Sequence, residues 1–239
     1  MKVVDLERVT VGGLHFLTRP GSSDIKSIRE VVEKRSYHKR AFELGERPWI
    51  DLGANVGAFT VLAASLGQRV TAYEPDPDNF ALLEQNVEQN KLGRLVELKQ
   101  LAVVASDATK VRFHVNSARG NFWRNSTVKV WRGGYSIDVP AVHFSKALDG
   151  AHDVKMDIEG AEMPILEAMT ERPGPRLVFE WSFDIDRSVP RFRAVVEKLR
   201  SWYGSVTYGK FDETVPMWGE SWFPPCRTVW CFDNGPATT

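Results

Sequence analysis

Cysteine is nearly absent from this 239-residue chain, which has only Cys226 and Cys231. Their odd separation would set them on opposite faces of a strand, so no disulfide between them is expected and both read as free thiols. Long apolar runs are absent too. None approaches the ~18 residues that cross a bilayer, so no membrane contact is expected. The opening MKVVDLERVTVGG places charges inside what would be the apolar heart of a secretory signal, and a cytoplasmic location is the expectation. Net charge is missing as well: Lys plus Arg and Asp plus Glu each number 31, so no global field draws the chain to nucleic acid or to an anionic surface. His114, His143 and His152 are dispersed without the spacing a zinc site needs. No repeat or low-complexity tract interrupts the chain, and the closing NGPATT reads as a frayed tail.

What is present is the composition of a globular protein, 43% hydrophobic and 26% charged, at a length that suits one large α/β domain over 1–239. A helix is expected over Ile25 to Arg40, within an N-terminal cap segment, 1–46. Then strand and helix alternate. PWIDLG is a strand and Gly57 to Leu66 a helix; RVTAYE is a strand, and Asp76 with Pro77 starts a helix that Gly93 closes. LVELKQLAV, HDVKMDI and PRLVFEWS are further strands, and Val189 to Tyr203 is the last helix. Such alternation implies a parallel sheet with helices on both faces, and RTVWCF is expected to complete it as an antiparallel strand. Residues 106–147 break the pattern with KVRFHV and SIDVPAVHF, split by glycines, and read as a β-rich insertion after the third strand.

The sharpest local signal is Asp51-Leu-Gly53-Ala-Asn55-Val-Gly57 between a strand and a helix. Glycines there let the backbone approach a ligand, and the helix start offers free amides. The spacing is not the G-x-G-x-x-G of dinucleotide sites, and an acid two residues before the first glycine would repel a pyrophosphate. It can instead accept from a cationic amino-acid head group, directly or through water. Glu74 follows 17 residues after Gly57, at the end of the next strand, where a carboxylate can bind both hydroxyls of a ribose. An amino acid at one end and an adenosine at the other describe S-adenosylmethionine. The competing reading makes Asp51 a buried structural acid and Glu74 a solvated neighbour of a helix cap.

These residues, with DIKSIREVVEKRSYH, WIDLGANVGAFT, AYEPDPDNFALLEQNV, LAVVASD and VKMDIEGAE in this order, resemble the FkbM family of methyltransferases from about Gly12 to Ser182. The resemblance implies a Rossmann-like class I fold on a mainly parallel seven-stranded sheet. It also implies that Asp51, Gly53, Asn55, Gly57 and Thr60 line the methionine end, Glu74 the ribose, and Pro75, Asp76, Leu101 and Ala102 the adenine side. Where many members carry a histidine after the fifth strand, this chain reads Glu180-Trp181-Ser182.

Asp157, Glu159 and Glu162 stand where the fourth strand meets a helix, and Glu180 ends the fifth; ligands of such sheets bind beyond the carboxyl ends of the strands. Asp157 is therefore expected at the cofactor or substrate. Asp157, Glu159 and Glu180 are the candidate catalytic acids, able to take a proton from a hydroxyl acceptor, with His143 a nearby alternative. The cluster also has the hard oxygen donors that suit a divalent cation, although no metal site is assigned. Glu159 and Glu162 could instead simply stabilise a helix start. The expected reaction is O-methylation of a small molecule, sugar or natural product. Two rivals remain: a nucleic-acid methyltransferase, favoured by the basic aromatic stretch Thr109 to Ile137 (Arg119, Trp123, Arg124, Trp131), and a binding protein without chemistry on the same scaffold.

Overall fold

The computed structural model describes residues 6–37, 47–116, 125–128, 133–182, 185, 188–208 and 226–233. Its centre is a seven-stranded sheet in the order β11-β12-β10-β9-β3-β4-β5. The strands are β3 (Trp49–Leu52), β4 (Val70–Tyr73), β5 (Val96–Lys99), β9 (Asp153–Met156), β10 (Arg176–Ser182), β11 (Ser205–Tyr208) and β12 (Cys226–Phe232). Neighbours are parallel except β12, which runs against both β10 and β11. The central strands β3 and β9 are buried at all four positions, as strands covered on both faces must be.

Alternate residues of these strands feed two cores. Trp49, Val70 and Ala72 pack with α1 (Asp24–Val32), α2 (Ala58–Ser65) and α3 (Pro77–Gln89), while Ile50, Leu52, Val154 and Met156 pack with α5 (Glu162–Ala168) and α6 (Val189–Arg200). The sheet with helices on both faces expected from the alternation, and the class I fold that the resemblance implies, are therefore present. The helix expected to reach Arg40 ends at Val32, because Arg35 takes a left-handed φ of 51° and turns the chain away. Asn90 and the left-handed Lys91, rather than Gly93, end α3.

The expected strand LVELKQLAV is two strands. Val96 to Lys99 edges the main sheet, whereas β6 (Ala102–Val104) leaves it to pair with β8 (Tyr135–His143), itself paired with β7 (Lys110–Val115). This small sheet has its own core of Val104, Phe113, Val115 and Val139. Lys110 and Arg112 of the basic stretch lie 3.7 and 3.3 Å from Asp138, just beyond its end, while Arg119, Trp123, Arg124, Lys129, Trp131 and Arg132 lie outside the described residues. Cys226 and Cys231 both fall on β12, five positions apart, and Cys231 is buried and free. No helix among the described residues is long and apolar enough to cross a membrane.

A hairpin of β1 (Glu7–Val11) and β2 (Leu14–Thr18), invisible in the sequence reading, is tied to α3 and its cap by two side-chain amides, Asn90 on His15 and the buried Asn86 on Leu17. Asn86 accepts from Leu17 N at 2.6 Å and donates to Leu17 O at 3.3 Å and Val56 O at 2.8 Å. Asn86→Ala would leave these groups with a poorer set of partners, at a cost of about 1 to 3 kcal/mol. A urea midpoint identical to wild type would show that water replaces the amide without loss.

Candidate active site

The loop after β3 has three residues in left-handed conformations, Gly53 (φ 77°), Asn55 (φ 53°) and Gly57 (φ 91°). Asparagine is among the non-glycine residues that tolerate this region best, which accounts for its standing where a glycine is usual. At Gly53 the requirement is also steric: a Cβ there would sit 1.9 Å from the carbonyl oxygen of Asp157. The amides of Gly53 and Ala54 both donate to Tyr73 O at 3.0 Å, tying the loop to the end of β4.

Below the loop lies a residue that the sequence reading did not assign. Lys155, on β9, places Nζ 3.0 Å from Asp51 Oδ1 and 2.8 Å from Gly53 O, with side chains only 4% and 0% exposed. Thr60 Oγ1 donates to Asp51 Oδ2 at 2.6 Å. Asp51 and Thr60 were expected to line the methionine end. Both are fully buried beneath the loop, bonded to each other, and neither is among the residues that line the cleft. The Asp51 and Asp157 carboxylates hold Lys155 charged against its burial, its pKa raised. A lysine inside a four-residue buried strand was the available signal.

Glu74 follows β4, and its carboxylate accepts Asn55 N at 2.7 Å and Asp76 N at 2.9 Å. Burial, then the nearby Asp76 carboxylate, push its pKa up to about 8, against the pull of those two amides. Asp76 is likewise engaged by its neighbours. Its Oδ1 caps α3 by accepting the amides of Asp78 and Asn79, and its Oδ2 accepts Asn125 Nδ2 at 2.7 Å. Asp76 is accordingly absent from the cleft lining, whereas Glu74, Pro75, Leu101 and Ala102 belong to it.

After β9 the chain turns through Asp157, Glu159 (φ 52°) and Gly160 (φ 99°) into α5. Glu162 holds the turn by accepting Ile158 N at 2.6 Å and Gly160 N at 2.7 Å, and burial followed by the Asp157 charge raises it to about 8. Its helix-start reading is thus the one the geometry favours. Glu159 is buried, lines the cleft and accepts from Ser182 Oγ at 3.3 Å; its carbonyl accepts Ser126 Oγ at 2.6 Å. Asp157 lines the cleft with Oδ2 accepting the Tyr37 hydroxyl at 2.6 Å. Glu180 and His143 are not in the lining, and His143 caps the short helix Phe144–Ala147.

The cleft encloses about 820 Å³, its mouth included, at the carboxyl ends of β3, β4 and β9. Pro75, Leu101, Ala102, Val103 and Phe113 form an apolar slot beside Glu74, and Asn55 and Asp157 face it from the loop and from β9. No group of three His, Cys, Asp or Glu suited to a metal ion occurs among the described residues.

Residues 51–203 match the model of the methyltransferase FkbM domain. The chain belongs to that family. No curated protein sequence matches it. Among solved structures, the fold of this FkbM-family chain is similar to Pyrococcus abyssi tRNA (uracil-54, C5)-methyltransferase in complex with S-adenosyl-L-homocysteine. The TM-score is 0.50 at 13% identity, over 95% of this chain and 44% of that one, so the chain spans less than half the length of that relative. The human methyltransferase 10 domain containing protein is similar at a TM-score of 0.43 and 16% identity, over 95% and 85%.

Within this family chain, Lys155→Met should destabilise by about 3 to 5 kcal/mol, since it leaves the Asp51 carboxylate buried without its cation. The double variant Lys155→Met with Asp51→Asn should recover much of that loss in denaturant melts. If the double variant is no more stable than the single one, the ion pair is not what Lys155 contributes.

Proposed function

We propose that this FkbM-family chain transfers a methyl group from S-adenosylmethionine to a hydroxyl of a small molecule, sugar or natural product. The observation that carries the cofactor reading is Glu74. It is a cleft-lining carboxylate held by two main-chain amides at the end of β4, with apolar lining residues in the same cleft. Two buried acceptor atoms of the cleft, Asn55 Oδ1 and Asp157 Oδ1, have no hydrogen-bond partner among the described residues, and such atoms suit a ligand that brings donors.

In this reading Gly53 and Asn55 let the main chain approach the methionyl end, and Glu74 takes the ribose hydroxyls. Pro75, Leu101 and Ala102 cover the adenine. S-adenosylmethionine, when bound, supplies an electrophilic methyl on a sulfonium. The acceptor hydroxyl must be aligned with that methyl and lose its proton, and positioning supplies most of the acceleration in such a displacement. Glu159 suits the base better than Glu180, because it lines the cleft and Ser182 orients its carboxyl. The family relation supports a methyltransferase over a binding protein without chemistry. Pairing of Lys110 and Arg112 with Asp138 leaves less free positive charge for a nucleic acid.

Incubation with S-adenosylmethionine and sugars, polyketide alcohols or oligonucleotides, read by mass spectrometry for one added methyl, tests the acceptor. Methylation of oligonucleotides alone would sink the small-molecule reading.

The protonation of Glu74 gives an independent check. With a folded pKa of about 8 against an ordinary 4.5, the carboxyl is mostly protonated at neutral pH. Its contribution to folding is full below about pH 4.5 and lost as pH rises through about 8. Donation by two ribose hydroxyls favours the ionised form, so binding of S-adenosylhomocysteine near pH 7 should release close to one proton. Calorimetry in buffers of different ionisation enthalpy reads this directly, and Glu74→Gln should abolish it and weaken binding by roughly tenfold or more. Heats independent of buffer would place the ribose elsewhere.

A further inference from the structure

Asp51 is ion-paired with Lys155 and accepts Thr60 on Oδ2, so a second cation there would have to share a carboxylate already neutralised, even though its Oδ1 has no hydrogen-bond partner among the described residues. The neighbouring carboxylate of Asp157 is arranged for one. Tyr37, which stands ahead of the nucleotide-binding sheet and follows α1, reaches 120 positions along the sequence to donate its hydroxyl to Asp157 Oδ2 at 2.6 Å. Its ring is fixed on two sides. The Phe59 ring meets it edge-on at 5.8 Å, and Lys155 Nζ lies 5.4 Å from its centroid, within the range of a cation–π contact. Tyr37 is 7% exposed and lines the cleft.

The phenol can only act as donor there. Burial, then the charges of Asp157 and Glu180, the hydrogen bond to Asp157 and the charge of Asp51, all raise its pKa well above the ordinary tyrosine value, so it keeps its proton. One oxygen of Asp157 is thereby committed, and the carboxylate plane is fixed. The other, Oδ1, is buried without a partner among the described residues, as is Asn55 Oδ1 in the same lining. Two orphan acceptors beside a loop whose own acid is neutralised call for a ligand group with several donors and a positive charge. An ammonium meets that description, whereas a single hydroxyl can satisfy only one of the two.

We propose that Tyr37 is a positioning residue that commits Asp157 Oδ2, so that Asp157 Oδ1, with Asn55 Oδ1, receives the ammonium of the cofactor's amino-acid end in place of Asp51. The assignment rests on the S-adenosylmethionine reading above. It adds a specificity device, since the cleft then distinguishes an amino acid from its deaminated counterpart through a residue outside the nucleotide-binding sheet.

The test compares calorimetric affinities for S-adenosylhomocysteine and for its deaminated analogue, which keeps the adenosine, the thioether and the carboxylate. Tyr37→Phe keeps the ring packing and removes the bond to Asp157. It should weaken S-adenosylhomocysteine roughly tenfold, the loss of an oriented charge-assisted contact, and leave the deaminated analogue within about twofold. Asp157→Asn, which keeps the shape, should show the same selectivity. If both ligands weaken equally in Tyr37→Phe, the tyrosine acts through packing and the proposal is wrong. If S-adenosylhomocysteine is unaffected while the Michaelis constant for the acceptor rises, Asp157 faces the acceptor and the proposal is equally wrong. A wild-type chain that binds neither ligand overturns the cofactor reading itself, an outcome distinct from the other two.

Discussion

The ion pair between Lys155 and Asp51 is the contact on which the geometry of the site depends. Both side chains are almost wholly removed from water, and a charge so placed is costly unless it is paired and further hydrogen-bonded. Here every participant has a second duty. The ammonium also reaches the carbonyl of Gly53, and the carboxylate also receives Thr60 from α2. The pair therefore joins β9, β3, the glycine loop and the following helix at one point. The close approach of Gly53 to the Asp157 carbonyl, which admits no Cβ, is the packing counterpart of the same junction.

Above that floor the turns are shaped by carboxylates that accept main-chain amides. Glu74 binds the amides of Asn55 and Asp76, Asp76 those of Asp78 and Asn79, and Glu162 those of Ile158 and Gly160. Each acid satisfies donors that a tight turn or helix start cannot pair internally. Burial first, and then the charge of one neighbouring carboxylate, Asp76 for Glu74 and Asp157 for Glu162, displaces both to about 8. Asp157 stands between these groups with its orientation supplied from outside the sheet by Tyr37.

Much of the local chemistry carried by neighbours in sequence is readable from it. The strand, glycine loop and helix over 49–65, the Asp76 cap with Pro77 behind it, and Glu74 at a strand end all follow from spacing and residue type. Contacts between distant residues left no such trace. Nothing local distinguishes an Asp51 that faces a ligand from one that faces Lys155, and Tyr37 is separated from Asp157 by 120 positions. LVELKQLAV reads as one strand, but the main sheet takes its first part and the small sheet its last. The hairpin 7–18 was overlooked although Gly12 and Gly13, both at positive φ, mark its turn.

The two sides of the cleft are built by different rules. The side that holds Glu74 and the glycine loop consists of turns at the ends of buried parallel strands, whose positions the sheet dictates. The other side includes the segment 125–128, which holds to that frame through two buried side chains: Asn125 donates to Asp76 at the start of α3, and Ser126 to the carbonyl of Glu159. The second bond grips a residue at positive φ, so the conformation that sets Glu159 in the cleft is shared between the turn after β9 and the insertion. Changes in the insertion thus reach Glu159 through this bond. On the proposed function, that coupling is how loops of one sheet can differ in acceptor while the turns beneath them keep a common form.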